Sequence, residues 1–92
     1  MPAWQVYMLR CRGGSLYTGV TTDIDRRLKA HNSGRGAVYV RRNGPGVLVY
    51  LEAAPGHAEA LRREAAIKRF ARARKLGLLT APSNLLLGSK DV

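Results

Sequence analysis

Aromatic and branched side chains crowd the first segment of the chain: Trp4 to Arg10 reads WQVYMLR, and Ser15 to Thr21, SLYTGVT, has the same character. Both runs predict strands, and Gly13-Gly14 between them predicts the turn of a β-hairpin. The period then changes. Ile24 and Leu28 anchor an apolar stripe that Arg27 and His31 complete at i, i+3, i+4 and i+7, so residues 23–33 are predicted as a helix. Thr22 with Asp25 three positions on has the form of a capping box, and Gly34 stands where a helix end favours glycine.

From Arg35 to Gly46, glycine, proline and basic side chains leave only Ala37, Val38, Tyr39 and Val40 able to pack, which predicts a functional loop. Val47 to Ala53, VLVYLEA, predicts a third strand that Pro55-Gly56 ends. Between His57 and Arg74 there is neither proline nor glycine, and alanine, leucine, arginine and lysine dominate, so this stretch predicts a long helix. Gly77 is expected to split off a short second piece, and Leu85-Leu86-Leu87 to tuck against the core. The order β-β-α-β-α-α predicts an α/β protein of the α+β type, a small three-stranded, mainly antiparallel sheet flanked by helices. Residues 1–80 are expected to form the domain, and 81–92 a short C-terminal extension that packs on it or trails from it.

A chain of 92 residues has room for one domain, so any active site shares its surface with the substrate groove. Lysine and arginine number 16 against 6 acids, a net charge of +10, and a polyanionic partner accounts for that excess. The charge is even: residues 1–55 and 56–92 each carry 8 basic and 3 acidic side chains, so there is no separate basic tail. A solvated surface of high net charge is the bland account of the same numbers. Cys11 is alone, which excludes an intramolecular disulfide and a cysteine-rich zinc site and fits a reducing, cytoplasmic setting. No stretch approaches the ~20 apolar residues of a membrane span.

A few residues sit awkwardly in a purely structural reading. Arg27 and His31 lie beside or on the buried stripe of their helix, and an arginine there calls for an acid nearby. The alternative is a snorkelling arginine and a histidine held by the helix dipole. On the long helix, Glu64 is the only acid on the least polar arc, among Ala60, Leu61, Ile67 and Ala71, with Lys68 one turn on. A Glu-to-Lys pair four apart is ordinary, but it needs no apolar neighbours; a ligand role or a pairing with Arg27 explains the placement better. Tyr7 and Tyr17 share a face of the hairpin only if its loop is odd-numbered, such as Arg12-Gly13-Gly14 with a left-handed glycine. A two-residue turn would put them on opposite faces. The odd loop is the expectation here.

Val6-Tyr7-Met8, Tyr17-Thr18-Gly19, Arg27 with His31, and Glu64 on a later helix together resemble the GIY-YIG nuclease superfamily. The run Leu16 to His31 (LYTGVTTDIDRRLKAH), Gly34, Gly36 and Leu61-Arg62-Arg63-Glu64 with Ile67-Lys68 is similar to its short single-domain bacterial branch, related to structure-specific flap endonuclease domains. The first motif reads VYM and the second YTG, so the tyrosines and the second glycine are kept while the flanking residues vary. The resemblance implies a DNA endonuclease in which Tyr7 is the base, Glu64 holds the metal, Arg27 stabilises the phosphate, and Tyr17 and His31 orient water or the base. Some members carry an asparagine after the last helix, for which Asn84 is the candidate here.

Hydrolysing a phosphodiester needs a water, a base and positive charge at the phosphate. A free tyrosine, with a pKa near ~10, serves as base only where charge nearby favours its phenolate. One carboxylate suits Mg²⁺ (or Mn²⁺), which keeps several waters and takes phosphate oxygens as ligands. Arg35, Arg41, Arg42, Lys68, Arg69 and Arg72 are the candidate phosphate contacts. No base-reading element is evident, so branched or flapped DNA is the expected substrate, with room for a protein partner that supplies specificity. The alternative is a non-catalytic basic nucleic-acid-binding module on the same fold.

Overall fold

The computed structural model describes residues 3–88. Its centre is a three-stranded antiparallel sheet in the order β2-β1-β3, with β1 at Trp4–Arg10, β2 at Leu16–Thr21 and β3 at Val47–Ala54. The central strand explains the unbroken apolar run in its sequence. Val6, Tyr7, Met8 and Leu9 are all buried because both faces of β1 are covered. Val6, Met8 and Tyr50 pack with Ala60 and Ile67 on one face, while Tyr7, Leu9 and Leu51 pack with Val40, Ile24 and Leu28 on the other.

The hairpin loop is the odd one. Cys11 N–H donates to the Ser15 carbonyl at 2.8 Å, leaving Arg12-Gly13-Gly14 as the connection. Gly13 and Gly14 both take positive φ, 86° and 91°, a region costly for a residue with a Cβ. The resulting register pairs Leu9 with Tyr17 and Tyr7 with Gly19, so the two tyrosines share a face.

Helix α1 spans Ile24–Asn32, and its cap differs from the expectation by one residue. Asp23, not Thr22, is the N-cap, its carboxylate accepting from Arg26 N–H at 3.1 Å. Thr21 explains the shift: its hydroxyl takes the Asp23 N–H at 3.1 Å and turns the chain just before the helix. At the far end Gly34 has φ 83° and Arg35 N–H closes on the Ala30 carbonyl at 2.9 Å, as the glycine led us to expect.

The segment expected to be a loop contains a helix, α2, at Val38–Asn43. Its single buried residue, Val40, supplies the apolar contact that a six-residue helix needs to form at all. The long helix is also shorter than expected. α3 runs His57–Lys68, the chain is extended at Ala71 (φ −62°, ψ 156°), and α4 follows at Arg72–Leu78 with Gly77 inside it. The break serves Phe70, which packs on the α3 side of the sheet with Leu78 and Leu79 and lies under the Arg74 guanidinium at 3.9 Å. A straight helix would carry these groups away from the sheet, so tertiary burial overrides local propensity here.

A final short helix, α5, covers Leu85–Gly88 and packs against β3. The observed order is therefore β-β-α-α-β-α-α-α. No helix of the described residues is long and apolar enough to cross a membrane.

Candidate active site

Tyr7 leaves the central strand and lies across Gly19 of the outer strand β2. A Cβ on Gly19 would stand 2.5 Å from the phenol oxygen, so only a residue without a side chain admits the ring. This is the physical content of the glycine in Tyr17-Thr18-Gly19. The phenol oxygen lies 2.8 Å from Nε2 of His31, a buried contact between β1 and the last turn of α1.

The other ring nitrogen of His31 fixes the roles in that contact. Ala37 N–H donates to Nδ1 at 3.2 Å, so Nδ1 carries no proton, and in the neutral ring the proton is on Nε2. His31 therefore donates to Tyr7. Burial, followed by the nearby positive charge of Arg27, lowers the His31 pKa and keeps the ring neutral. Gly36 lies against the same ring, where a Cβ would overlap Nδ1.

Charges from two helices on opposite faces of the sheet act on the Tyr7 phenol. Burial raises its pKa most, the neighbouring Tyr17 phenol raises it further, Arg27 lowers it, and the Glu64 carboxylate raises it again. Tyr7 is thus held protonated, and Arg27 is the one group among these that favours its phenolate. The Tyr17 ring is tilted against Tyr7 at 6.3 Å between centroids and meets His31 edge-on at 5.4 Å.

Arg27 is exposed, and among the described residues it forms no ion pair; the acid expected beside it is not paired with it. Glu64 pairs instead with Lys68 at 3.3 Å, its side chain only 19% exposed. Lys68 is thereby engaged with the carboxylate. Arg35, Arg41, Arg42 and Arg69 are exposed. Arg72 is exposed too, but its guanidinium donates to the Gly14 carbonyl at 3.0 Å and ties α4 to the hairpin loop.

Asn84 lies apart from these groups. It is buried, and its amide nitrogen donates to the carbonyls of Val49 and Leu79 while its oxygen accepts from the amides of Leu51 and Leu86. Two of these four bonds tie the C-terminal segment to β3, and the other two, to Leu79 and Leu86, fold that segment on itself. Tyr39 and the Ala37 amide carry no functional signal in the residue pattern: an aromatic side chain there reads as a packing residue, and a backbone N–H leaves no mark in a sequence.

The fold identifies the class: residues 3–76 match the GIY-YIG catalytic domain, and the chain belongs to that family, whose activity is that of a nuclease acting on DNA. Within it the chain is similar to UPF0213 proteins. It is 47% identical over 78 residues to one from Xanthomonas axonopodis pv. citri, covering 85% of this chain and 76% of that one. Its identity to a second, from Staphylococcus haemolyticus, is 46% over 74 residues, covering 80% and 90%. The solution NMR structure of a UPF0213 protein from Bacillus halodurans superposes with a TM-score of 0.58 at 41% identity, over 98% of this chain and 96% of that one.

Proposed function

We propose that the chain is an endonuclease that hydrolyses phosphodiester bonds of DNA with a divalent metal ion, in the cytoplasm, selecting branched or flapped structure rather than sequence. The buried Tyr7–His31 hydrogen bond, set between the charges of Arg27 and Glu64, carries this reading. Burial alone accounts for a hydrogen bond to the phenol, but not for a neutral imidazole held in the donating tautomer beside a cation and a carboxylate.

The donor set fits a hard divalent ion. Glu64, the residue that the family resemblance assigns to the metal, is a single carboxylate, and among the described residues no three of histidine, cysteine, aspartate and glutamate come together. Mg²⁺ (or Mn²⁺) suits so sparse a site because it retains waters and accepts phosphate oxygens. Bound there, the ion supplies positive charge to the phosphate and to the leaving oxygen.

The side chains then divide the work. Tyr7, having released its own proton to solvent, takes a proton from the attacking water as the water oxygen bonds to phosphorus. The P–O bond to the leaving sugar oxygen breaks, and that oxygen takes a proton from solvent. His31 donates Nε2–H to the phenolate and so favours its formation, while the Ala37 amide keeps the imidazole in the donating tautomer. Arg27 places its guanidinium at the phosphate, and Tyr17 packs against both members of the pair. Arg35, Arg41, Arg42, Arg69 and Arg72 offer phosphate contacts, and Lys68 joins them when it leaves Glu64.

The structure-selective part rests on what the surface lacks. The arginines are exposed on short helices and loops, and α2, of six residues, is too short to fill a major groove. A panel of flap, fork, junction and linear duplex substrates, incubated with Mg²⁺ or Mn²⁺ and with wild type or Glu64→Ala, tests the reading. Cleavage of the branched substrates by wild type alone is expected. Binding without cleavage by both proteins would favour a non-catalytic nucleic-acid-binding module. Equal cleavage of every substrate would remove the structural selectivity, and a protein partner would then have to supply it.

A further inference from the structure

Tyr39 has no part in the roles assigned so far. It stands in the first turn of α2 beside Val38, and the two are 41% and 52% exposed while Val40 turns into the core. An exposed tyrosine is common; this one is stacked on the site. Its ring lies against Tyr17, with centroids 5.9 Å apart and planes 24° from parallel, and Tyr17 meets His31 and Tyr7 in turn. Tyr39 is therefore the outermost ring of a series that ends at the Tyr7–His31 pair. Arg35, Arg41 and Arg42 surround it in sequence, all exposed, and among the described residues none of them is in an ion pair.

An exposed aromatic ring with free guanidinium groups two to four residues away along the chain is the composition that binds an unstacked nucleotide, with the base on the ring and the phosphates on the arginines. We propose that the outward face of Tyr39 is a stacking platform for a nucleobase next to the phosphate that is cut. This rests on the nuclease reading above and gives it a physical source of selectivity. A base inside a duplex has both faces covered by its neighbours, so only an unpaired or splayed nucleotide can use the ring. A flap, a fork or a junction offers one.

Binding without metal tests the proposal separately from cleavage. Fluorescence anisotropy is measured in chelator with short single strands in which one abasic site is moved along the sequence. For wild type and Tyr39→Phe, one abasic position is expected to weaken binding by about tenfold. Tyr39→Leu should show that weakening already with the intact strand and none further at the same position. As a check that needs no variant, an iodouracil at that position should photo-crosslink to Tyr39 in the wild type. An abasic penalty of the same size in Tyr39→Leu, or no position-dependent penalty in wild type together with no crosslink to Tyr39, overturns the platform. Failure of wild type to cut any DNA with metal would remove the nuclease reading and leave this binding result intact.

Discussion

His31 donates its Nε2 proton to the phenol oxygen of Tyr7 across 2.8 Å, and it can act only as a donor there, because the Ala37 amide occupies Nδ1. The imidazole is therefore not the base that ionises Tyr7; it steadies the phenolate once formed. Tyr7→Phe keeps the ring over Gly19 and removes the oxygen. Metal-dependent cleavage should fall by roughly 10²- to 10⁴-fold while DNA affinity in chelator stays within about twofold. Because burial raises the Tyr7 pKa, the free protein should show no phenolate absorbance from Tyr7 near the ordinary tyrosine value. Wild type and Tyr7→Phe should give the same rise at 295 nm up to about pH 10. A larger rise in wild type would mean that Tyr7 titrates normally.

Protonating His31 would set a second N–H against that of Ala37, in line with its lowered pKa. A histidine whose folded pKa lies below its unfolded value stabilises fully above the unfolded pKa, about 6.5, and loses that contribution as pH falls through the folded one. Stability from urea unfolding should be flat from about pH 8 to 6.5 and decline below it, ahead of the carboxylates. His31→Gln should flatten the slope that begins below about pH 6.5. An unchanged slope in that variant would assign the acid sensitivity elsewhere.

Gly19→Ala places a methyl group 2.5 Å from the Tyr7 oxygen and 2.7 Å from the ring carbon that bears it, so the rigid ring itself is in the way. The ring has to swing off β2, which breaks its alignment with His31. Cleavage should drop by on the order of 10²-fold, a displacement of about 1 Å being enough for that. Metal-free DNA binding should change little, since the methyl touches no exposed arginine. Full activity in Gly19→Ala would show that the ring's seat on β2 is dispensable.

The parts of this arrangement visible in the sequence were those with a period or an obligatory residue. The strands of the hairpin, the face of α1 that carries Arg27 and His31, and the odd loop at Gly13-Gly14 all follow from alternation, helical spacing or a positive φ. What stayed hidden depends on distant partners. The helix α2 exists because Val40 finds the face of the sheet that bears Leu9, and α3 ends early because Phe70 finds the opposite one. Glu64 is a similar case: its pairing with Lys68 is the i,i+4 contact that helical spacing offers, while whether it also meets Arg27 depends on how α1 and α3 pack, which no local pattern carries.

Asn84 clasps the C-terminal segment to β3. Its side chain satisfies the amides of Leu51 and Leu86 and the carbonyls of Val49 and Leu79, at 3.0 to 3.2 Å. Asn84→Ala leaves buried groups without partners, at about 1–3 kcal/mol each, so a loss on the order of 3 kcal/mol is expected in urea unfolding. Cleavage per folded molecule below the midpoint should be unaffected. A stable variant with impaired cleavage would return Asn84 to the active site.

The Glu64–Lys68 pair poses the last question, because the same lysine is a candidate phosphate contact. The ammonium lies 3.3 Å from the carboxylate with 52% of the lysine side chain exposed, so the pair is weak and screened. An ion binding at Glu64 must nevertheless displace that charge. Lys68→Met keeps the apolar stem and removes the competitor, so Mn²⁺ affinity, followed by paramagnetic resonance or calorimetry without DNA, should rise by roughly twofold to fivefold. If the freed lysine then reaches a phosphate, the same variant should bind DNA more weakly and lose about one unit of slope against the logarithm of salt. Tighter metal with an unchanged salt slope would confine Lys68 to guarding the carboxylate. Weaker metal in Lys68→Met would mean that the ion does not sit at Glu64, and the division of roles around Tyr7 would have to be drawn again from a different ligand.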